Sequence, residues 1–263
     1  MSLSRAEPGR PTVSRAMLRL VERAVRDFEL IRPGDRVAIG VSGGKDSLAL
    51  AAALAQLSQR RDLPFELTLL HLDQHQPGFD RPRFDAAIAA LGLPLEIVSQ
   101  DTWSVVSEAL KPGQIPCALC SRMRRGALNR WCEARGFNRL ALGHHLDDAL
   151  ETFFLNLLFG QRLAPLKPLT EASAQEVATI RPLILIEERK IVDWIASAGL
   201  EPIPCPVCDS FPDSKRRALK AMIDGVRAVE GDLHRSVREA LYGGDARVAS
   251  LLSSSFDESP GEL

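Results

Sequence analysis

The stretch that most constrains this chain is Ser42-Gly43-Gly44-Lys45-Asp46-Ser47, which joins two runs of opposite periodicity. Before it, RVAIGV (36–41) is short, apolar and β-branched, the composition of a strand. After it, SLALAAALAQLSQRR (47–61) is rich in Ala and Leu and reads as a helix. Two glycines at such a junction let the backbone turn tightly and approach a ligand with no Cβ in the way. The loop N–H groups and the helix N-terminus together make an anion site. Ser42 and Ser47 add hydroxyl donors, and Lys45 adds a positive charge. Asp46 would repel a phosphate unless it braces the loop or helps to hold a magnesium ion. The string is not a Walker loop, which needs four residues between its glycine and Gly-Lys-Ser/Thr. A two-glycine turn alone reads equally well as a plain β–α turn. The full six-residue string favours the anion site.

The same strand-then-helix alternation continues along the chain. Met17, Leu18, Leu20, Val21, Ala24, Val25 and Phe28 have helical spacing and predict a helix over 14–30. Further strands are expected at 65–73, 94–101 and 139–143, and further helices at 83–93, 121–135, 147–160, 188–200 and 214–229. RPLILI (181–186) is expected to add a strand or an extended segment. This order predicts an α/β fold: a doubly wound, mostly parallel sheet with flanking helices. Ligands of such sheets lie at the carboxyl ends of the strands, where the glycine loop begins. The expected organisation is a disordered terminus over 1–13, a nucleotide-binding domain over 14–213, a helical segment over 214–242 and a loose tail over 243–263. No internal repeat is evident.

Composition narrows the setting. Of 263 residues, 45% are hydrophobic and 25% charged, as in ordinary globular proteins. No apolar run approaches the roughly 18 residues of a membrane span. The first residues, MSLSRAEPGRPTVSRA, lack the apolar core of a secretory signal, so a cytoplasmic protein with no membrane partner is expected. The net charge of −1 gives no global signal for nucleic acid, so any such partner must be held by local basic patches.

Five cysteines occur: Cys117, Cys120, Cys132, Cys205 and Cys208. Two Cys-x-x-Cys pairs far apart in a cytosolic chain are a metal signature rather than a disulfide framework. Spacing alone favours a structural four-cysteine zinc site. Cys132 shares a helical stripe with Leu128 and Trp131 and is expected to be a core thiol. Arg122, Arg124 and Arg125 follow the first pair, and Lys215, Arg216 and Arg217 follow the second. Either cluster alone reads as a solvated helix face; two clusters, each tied to a cysteine pair, favour a surface for RNA phosphates. Arg124 lies one helical turn beyond Cys120 and is the best placed to approach a reacting centre. In GHHLDD, Gly143 lets the backbone approach a ligand, while His144, His145, Asp147 and Asp148 surround a helix start. Aspartates there cap helices, and one of them is also a candidate for proton transfer or magnesium binding.

Several of these stretches share an order that resembles a known family. SGGKDS after a strand looks like the PP-loop of ATP pyrophosphatases, which cleave ATP between the α and β phosphates. LDQHQPGFD (72–80), PCALCSRMRRGAL (116–128), ALGHHLDDALETFFLNLLFG (141–160), RPL (181–183) and IPCPVCDS (203–210) follow in sequence. Over about residues 15 to 220 the chain resembles the tRNA 2-thiocytidine synthetase family (TtcA type). The resemblance implies an adenine nucleotide α-hydrolase-like fold. It also implies replacement of the C2 oxygen of cytidine 32 in the tRNA anticodon loop by sulfur, using ATP, Mg²⁺ and a [4Fe–4S] cluster. By the same resemblance Ser42 to Ser47, Gly143 and His144 hold the nucleotide, and Asp73 and Gln74 contact the adenosine. A turn at the end of a strand explains Asp73 and Gln74 as well. Lys45, Asp147 and Arg124 are the implied catalytic residues, with Asp147 and Asp148 both open for the acidic role. The implied cluster ligands are Cys117, Cys120 and a third thiolate, Cys208 before Cys205, leaving one iron open to carry sulfur. Implied partners are tRNA, a sulfur donor (a cysteine desulfurase or inorganic sulfide) and a second copy of the chain. The rivals are a lysidine-type enzyme, which needs no cysteine site, a thiouridine-forming relative, and a non-catalytic nucleotide sensor with structural zinc.

Overall fold

A computed structural model describes residues 10–110, 116–171, 177–204, 215–229 and 231–243. Its described residues form a six-stranded sheet of order β3-β2-β1-β4-β6-β5. The strands are β1 Arg36–Gly40, β2 Glu66–Asp73, β3 Leu95–Ser99, β4 Arg139–Ala141, β5 Leu169–Thr170 and β6 Ala178–Ile180. All neighbours run parallel except the edge pair β5 and β6. The expected doubly wound, mostly parallel sheet is therefore present. Its order reverses between β1 and β4, so the loops after these two strands face each other at the switch point.

The helices are α1 Arg15–Asp27, α2 Lys45–Leu57, α3 Arg81–Leu91, α4 Trp103–Ala109, α5 Cys117–Ala134, α6 Leu146–Leu158, α7 Glu188–Ser197, α8 Lys215–Val229 and α9 Leu233–Tyr242. Alternation along β1 divides the interior. Val37 and Ile39 face a core built with α1, α2, α3 and α7, whereas Ala38 faces a smaller core with Leu128 and Cys132 of α5. Helix α2 is buried on every side from Ser47 to Ala55, which explains why it is apolar all round. Gly92, left-handed at φ 57°, stops α3 as a C-cap glycine does. Leu150 of α6 packs on Leu219 and Ile223 of α8, which holds the C-terminal helices against the sheet domain.

Three expectations need correction. RPLILI is not a strand; after β6 it folds into consecutive turns, with Ile184 N–H donating to Arg181 O (3.1 Å) and Ile186 N–H to Leu183 O (2.8 Å). Its residues are fully buried, so composition resembled a strand, but Pro182 has no N–H for a ladder. The helix expected over 121–135 begins earlier, so both Cys117 and Cys120 stand in its first turn. Residues 10–13, expected to be disordered, are packed: Val13 N–H donates to Gln56 Oε1 at 2.8 Å, and Trp194 Nε1–H to Thr12 O at 3.0 Å. The disorder expected for 1–9 and the tail expected over 244–263 lie outside the described residues.

Candidate active site

The glycine loop leaves β1 and turns into α2 at the switch point. Gly43 takes φ 81°, and its carbonyl accepts the N–H of Ile203 at 2.9 Å. A Cβ there would stand 2.7 Å from Ile203 Cδ1 and 3.1 Å from Phe84 Cδ2. Gly44 is the N-cap of α2 and brings no side-chain oxygen, so the cap leaves the first-turn N–H groups to other acceptors. Ser47 Oγ donates to Gly44 O at 2.9 Å and accepts Ser42 N–H at 3.3 Å, closing the loop on itself. The geometry is that of an anion cradle.

Lys45 stands at its mouth. Its Nζ lies 2.9 Å from both Asp46 carboxylate oxygens and 3.0 Å from Glu188 Oε1. Burial works against the ammonium charge, but the two carboxylates outweigh it and raise the Lys45 pKa. Asp46 thus braces the lysine, and burial raises its own pKa despite His145 and Lys45. Glu188 was not among the expected site residues. Burial opposes its charge, yet Lys220 and Lys45 hold it ionised, with a pKa of about 2.

The loop after β4 closes against the glycine loop. A Cβ at Gly143 would lie 2.9 Å from the carbonyl carbon of Asp46, so only glycine permits this approach. His144 is half-buried beside it. The N-cap of α6 is His145 rather than an aspartate. Its Nδ1 accepts Asp148 N–H at 3.4 Å, while Asp148 Oδ2 accepts His145 N–H at 3.0 Å, a reciprocal capping box. Asp147 points elsewhere. Its Oδ2 accepts Glu188 N–H at 2.6 Å, and its Oδ1 meets Arg227 Nη2 and, at 2.8 Å, His234 Nε2. Burial would raise its pKa, but His234 and the Glu188 N–H dominate and lower it. Asp147 is therefore a buried ionised carboxylate at the junction of α6, α7, α8 and α9.

On the other side of the loop, Asp73 ends β2, and its Oδ1 accepts His75 N–H at 3.0 Å. Gln74 follows; its Oε1 accepts Thr102 Oγ1–H at 3.3 Å and Cys120 Sγ–H at 3.4 Å. The first turn of α5 thus abuts the carboxyl end of β2, the strand beside β1. Cys117 is exposed and Cys120 half-buried on one face of that turn, with Arg124 half-buried one turn later. The two thiols fit iron–sulfur ligation in chemistry and spacing, and the positive end of the α5 dipole suits thiolates. Among the described residues no three His, Cys, Asp or Glu side chains are grouped to hold a metal; Cys205 and Cys208 lie outside those residues. Cys132 is fully buried, as expected, and burial pushes its thiol up to about 12. Among the described residues no helix is long and apolar enough to cross a membrane.

A doubly wound sheet with a glycine-rich anion cradle at its switch point defines a nucleotide-binding α/β protein. Residues 12–203 match the PP-loop domain model ATP_bind_3. The tRNA-cytidine(32) 2-sulfurtransferase of Stenotrophomonas maltophilia (strain R551-3) is 41% identical over 218 residues, 83% of this chain and 73% of that protein. The protein of the same name from Alkalilimnicola ehrlichii (strain ATCC BAA-1101 / DSM 17681 / MLHE-1) is 42% identical over 215 residues, 82% of this chain and 68% of that one. The structure of the U34-tRNA thiolase NcsA from Methanococcus maripaludis with its [4Fe–4S] cluster superposes with a TM-score of 0.66 at 22% identity, over 84% of this chain and 76% of that chain. At that identity the superposition speaks for the fold. The chain belongs to the PP-loop family and, within it, to the tRNA-cytidine(32) 2-sulfurtransferases.

Proposed function

We propose that this chain is an ATP-dependent tRNA sulfurtransferase that converts cytidine 32 to 2-thiocytidine, releasing AMP and pyrophosphate. The observation that carries the reading is the meeting of the two candidate half-sites at one sheet edge. The glycine loop follows β1, and the cysteine turn of α5 meets Gln74 just beyond the carboxyl end of the neighbouring strand β2.

In this reading the loop amides and the α2 N-terminus bind the polyphosphate of ATP, with Mg²⁺ accompanying it as counter-charge. Lys45, kept charged by its carboxylates, stabilises negative charge that builds up during phosphoryl transfer. The cytidine is unstacked from its loop, because single-stranded bases are the ones proteins extract from RNA. Its C2 oxygen forms a bond to the α-phosphorus as the bond to pyrophosphate breaks. A cluster held by Cys117, Cys120 and Cys208, or Cys205 in its place, would supply a point where sulfur is bound before it replaces the activated oxygen and AMP leaves. Arg122, Arg124 and Arg125 on α5, with Lys215, Arg216 and Arg217 beyond the second pair, offer cations for tRNA phosphates. Asp147, held ionised between His234 and the Glu188 N–H, acts in this reading as a positioning residue behind Glu188. A cysteine desulfurase or inorganic sulfide is the sulfur source, a homodimer the assembly and the cytoplasm the compartment.

The test is a pair of variants. Cys117→Ala is expected to lose iron, sulfide and all thiolation while keeping ATP affinity, because the anion cradle is built from backbone groups on another element. Cys132→Ala is expected to lose some stability through packing but to keep iron and activity near the parent. Iron and sulfide per chain, ATP titration and nucleoside mass spectrometry read the outcome. Continued thiolation by Cys117→Ala, or iron lost from Cys132→Ala alone, would contradict the assignment.

A further inference from the structure

Glu188 ties the loop lysine to a second one. Its Oε1 lies 3.0 Å from Lys45 Nζ and its Oε2 2.9 Å from Lys220 Nζ. Lys45 belongs to the cradle, and Lys220 comes from α8, beyond the residues that match the PP-loop model. The carboxylate between them is fixed from behind. It is the first residue of α7, and its N–H donates to Asp147 Oδ2 at 2.6 Å. Lys220 is also anchored: Leu219 and Ile223, which flank it on α8, are buried against Leu150 of α6. The hydrogen bond to Glu188 raises the Lys220 pKa, burial notwithstanding, and its side chain is 49% exposed. One half-buried carboxylate therefore holds two ammonium groups together, one at the mouth of an anion cradle and the other still open to solvent.

We propose that Lys220 is a second polyphosphate-binding lysine of this nucleotide site, positioned beside Lys45 by Glu188. The inference rests on the nucleotide reading of the cradle given above. Lys45 and Lys220 bring two ammonium groups to one carboxylate; Asp46 and Glu188 balance their charge, so the ligand that suits them has several adjacent anionic groups and can engage both lysines at once. Glu188 acts through the lysines and is a positioning residue. The ligand part recognised is the β- and γ-phosphates of a nucleoside triphosphate, or free pyrophosphate, and not a nucleoside monophosphate.

Calorimetric titration of the full chain with ATP, pyrophosphate and AMP tests this on the parent, Lys220→Met, Lys220→Arg and, as a control on α7, Lys190→Ala. Methionine keeps the apolar stem and removes only the charge. Loss of one charge-assisted contact is expected to weaken ATP and pyrophosphate by about tenfold while leaving AMP unchanged. Lys220→Arg should restore most of the affinity, and Lys190→Ala should bind like the parent. Parental ATP affinity in Lys220→Met would overturn the proposal. Equal weakening of ATP and AMP would also overturn it, since α8 would then merely prop the pocket. A parent protein that binds none of the three ligands would overturn the nucleotide reading itself.

Discussion

Gly43 and Gly44 are neighbours under different constraints. Gly43 is left-handed at φ 81° and has Ile203 and Phe84 where a side chain would go. Gly44 has an ordinary φ of −71°, and the nearest atom to a Cβ there is Ser42 Oγ at 3.4 Å. Gly43→Ala is therefore expected to lose stability, with the left-handed strain alone costing about 1–2 kcal/mol. Gly44→Val is expected to fold, with a melting temperature near the parent, and to lose ATP binding because its side chain fills the phosphate approach. Differential scanning fluorimetry with ATP titration separates the two. A Gly44→Val protein with parental ATP affinity would remove the loop from the site. The loop residues, Gly143 and the two leading cysteines were legible because glycine at a strand–helix junction and Cys-x-x-Cys are rare, mechanism-bearing patterns. Glu188 was not: an acidic residue opening a helix is common, and only the fold brings it to Lys45 and Lys220.

Helices α6 to α9 meet in a charged junction beside the apolar contact of Leu150 with Leu219 and Ile223. Asp147 takes Arg227 and His234, Glu188 takes Lys45 and Lys220, and Glu187 takes Arg238 at 3.1 Å. Both Asp147 and Glu188 have folded-state pKa values below their ordinary ones of 3.8 and 4.5. Their contribution is thus fully present above about pH 4.5 and is lost as pH falls toward about 2 for Glu188. Urea midpoints for the parent and Glu188→Gln should differ at pH 6 and draw together at pH 3. A gap that is constant or widens on acidification would mean that Glu188 is not held ionised by its lysines. Long periodic helices were readable at this scale, and so were the four parallel strands from β1 to β4. Helix α4 and the strands β5 and β6 were missed, being seven, two and three residues long, too short for either periodicity to repeat often enough to stand out. RPLILI misled because full burial in a turn leaves the same apolar composition as a central strand.

At the scale of the molecule, topology does what no single motif can. The crossover between β1 and β4 places two helix N-termini, those of α2 and α6, at one edge. The parallel pairing of β1 with β2 then brings Gln74, and with it the cysteine turn of α5, to the same edge. In the function proposed above, nucleotide and sulfur chemistry then lie at the same end of the sheet, although about 75 residues of sequence separate Lys45 from Cys120. With a net charge of −1, the function proposed above assigns the tRNA phosphates to local basic groups such as the arginines of α5. The central claim is that the two half-sites act on one base. Its most direct measurement is nucleoside mass spectrometry of unmodified tRNA incubated anaerobically with the iron-reconstituted full chain, sulfide, Mg²⁺ and ATP, alongside assays of AMP and pyrophosphate. The account predicts 2-thiocytidine at position 32, absent when ATP is omitted, with one AMP and one pyrophosphate per sulfur. ATP cleaved without any thiolated cytidine, or thiolation independent of ATP, would contradict it.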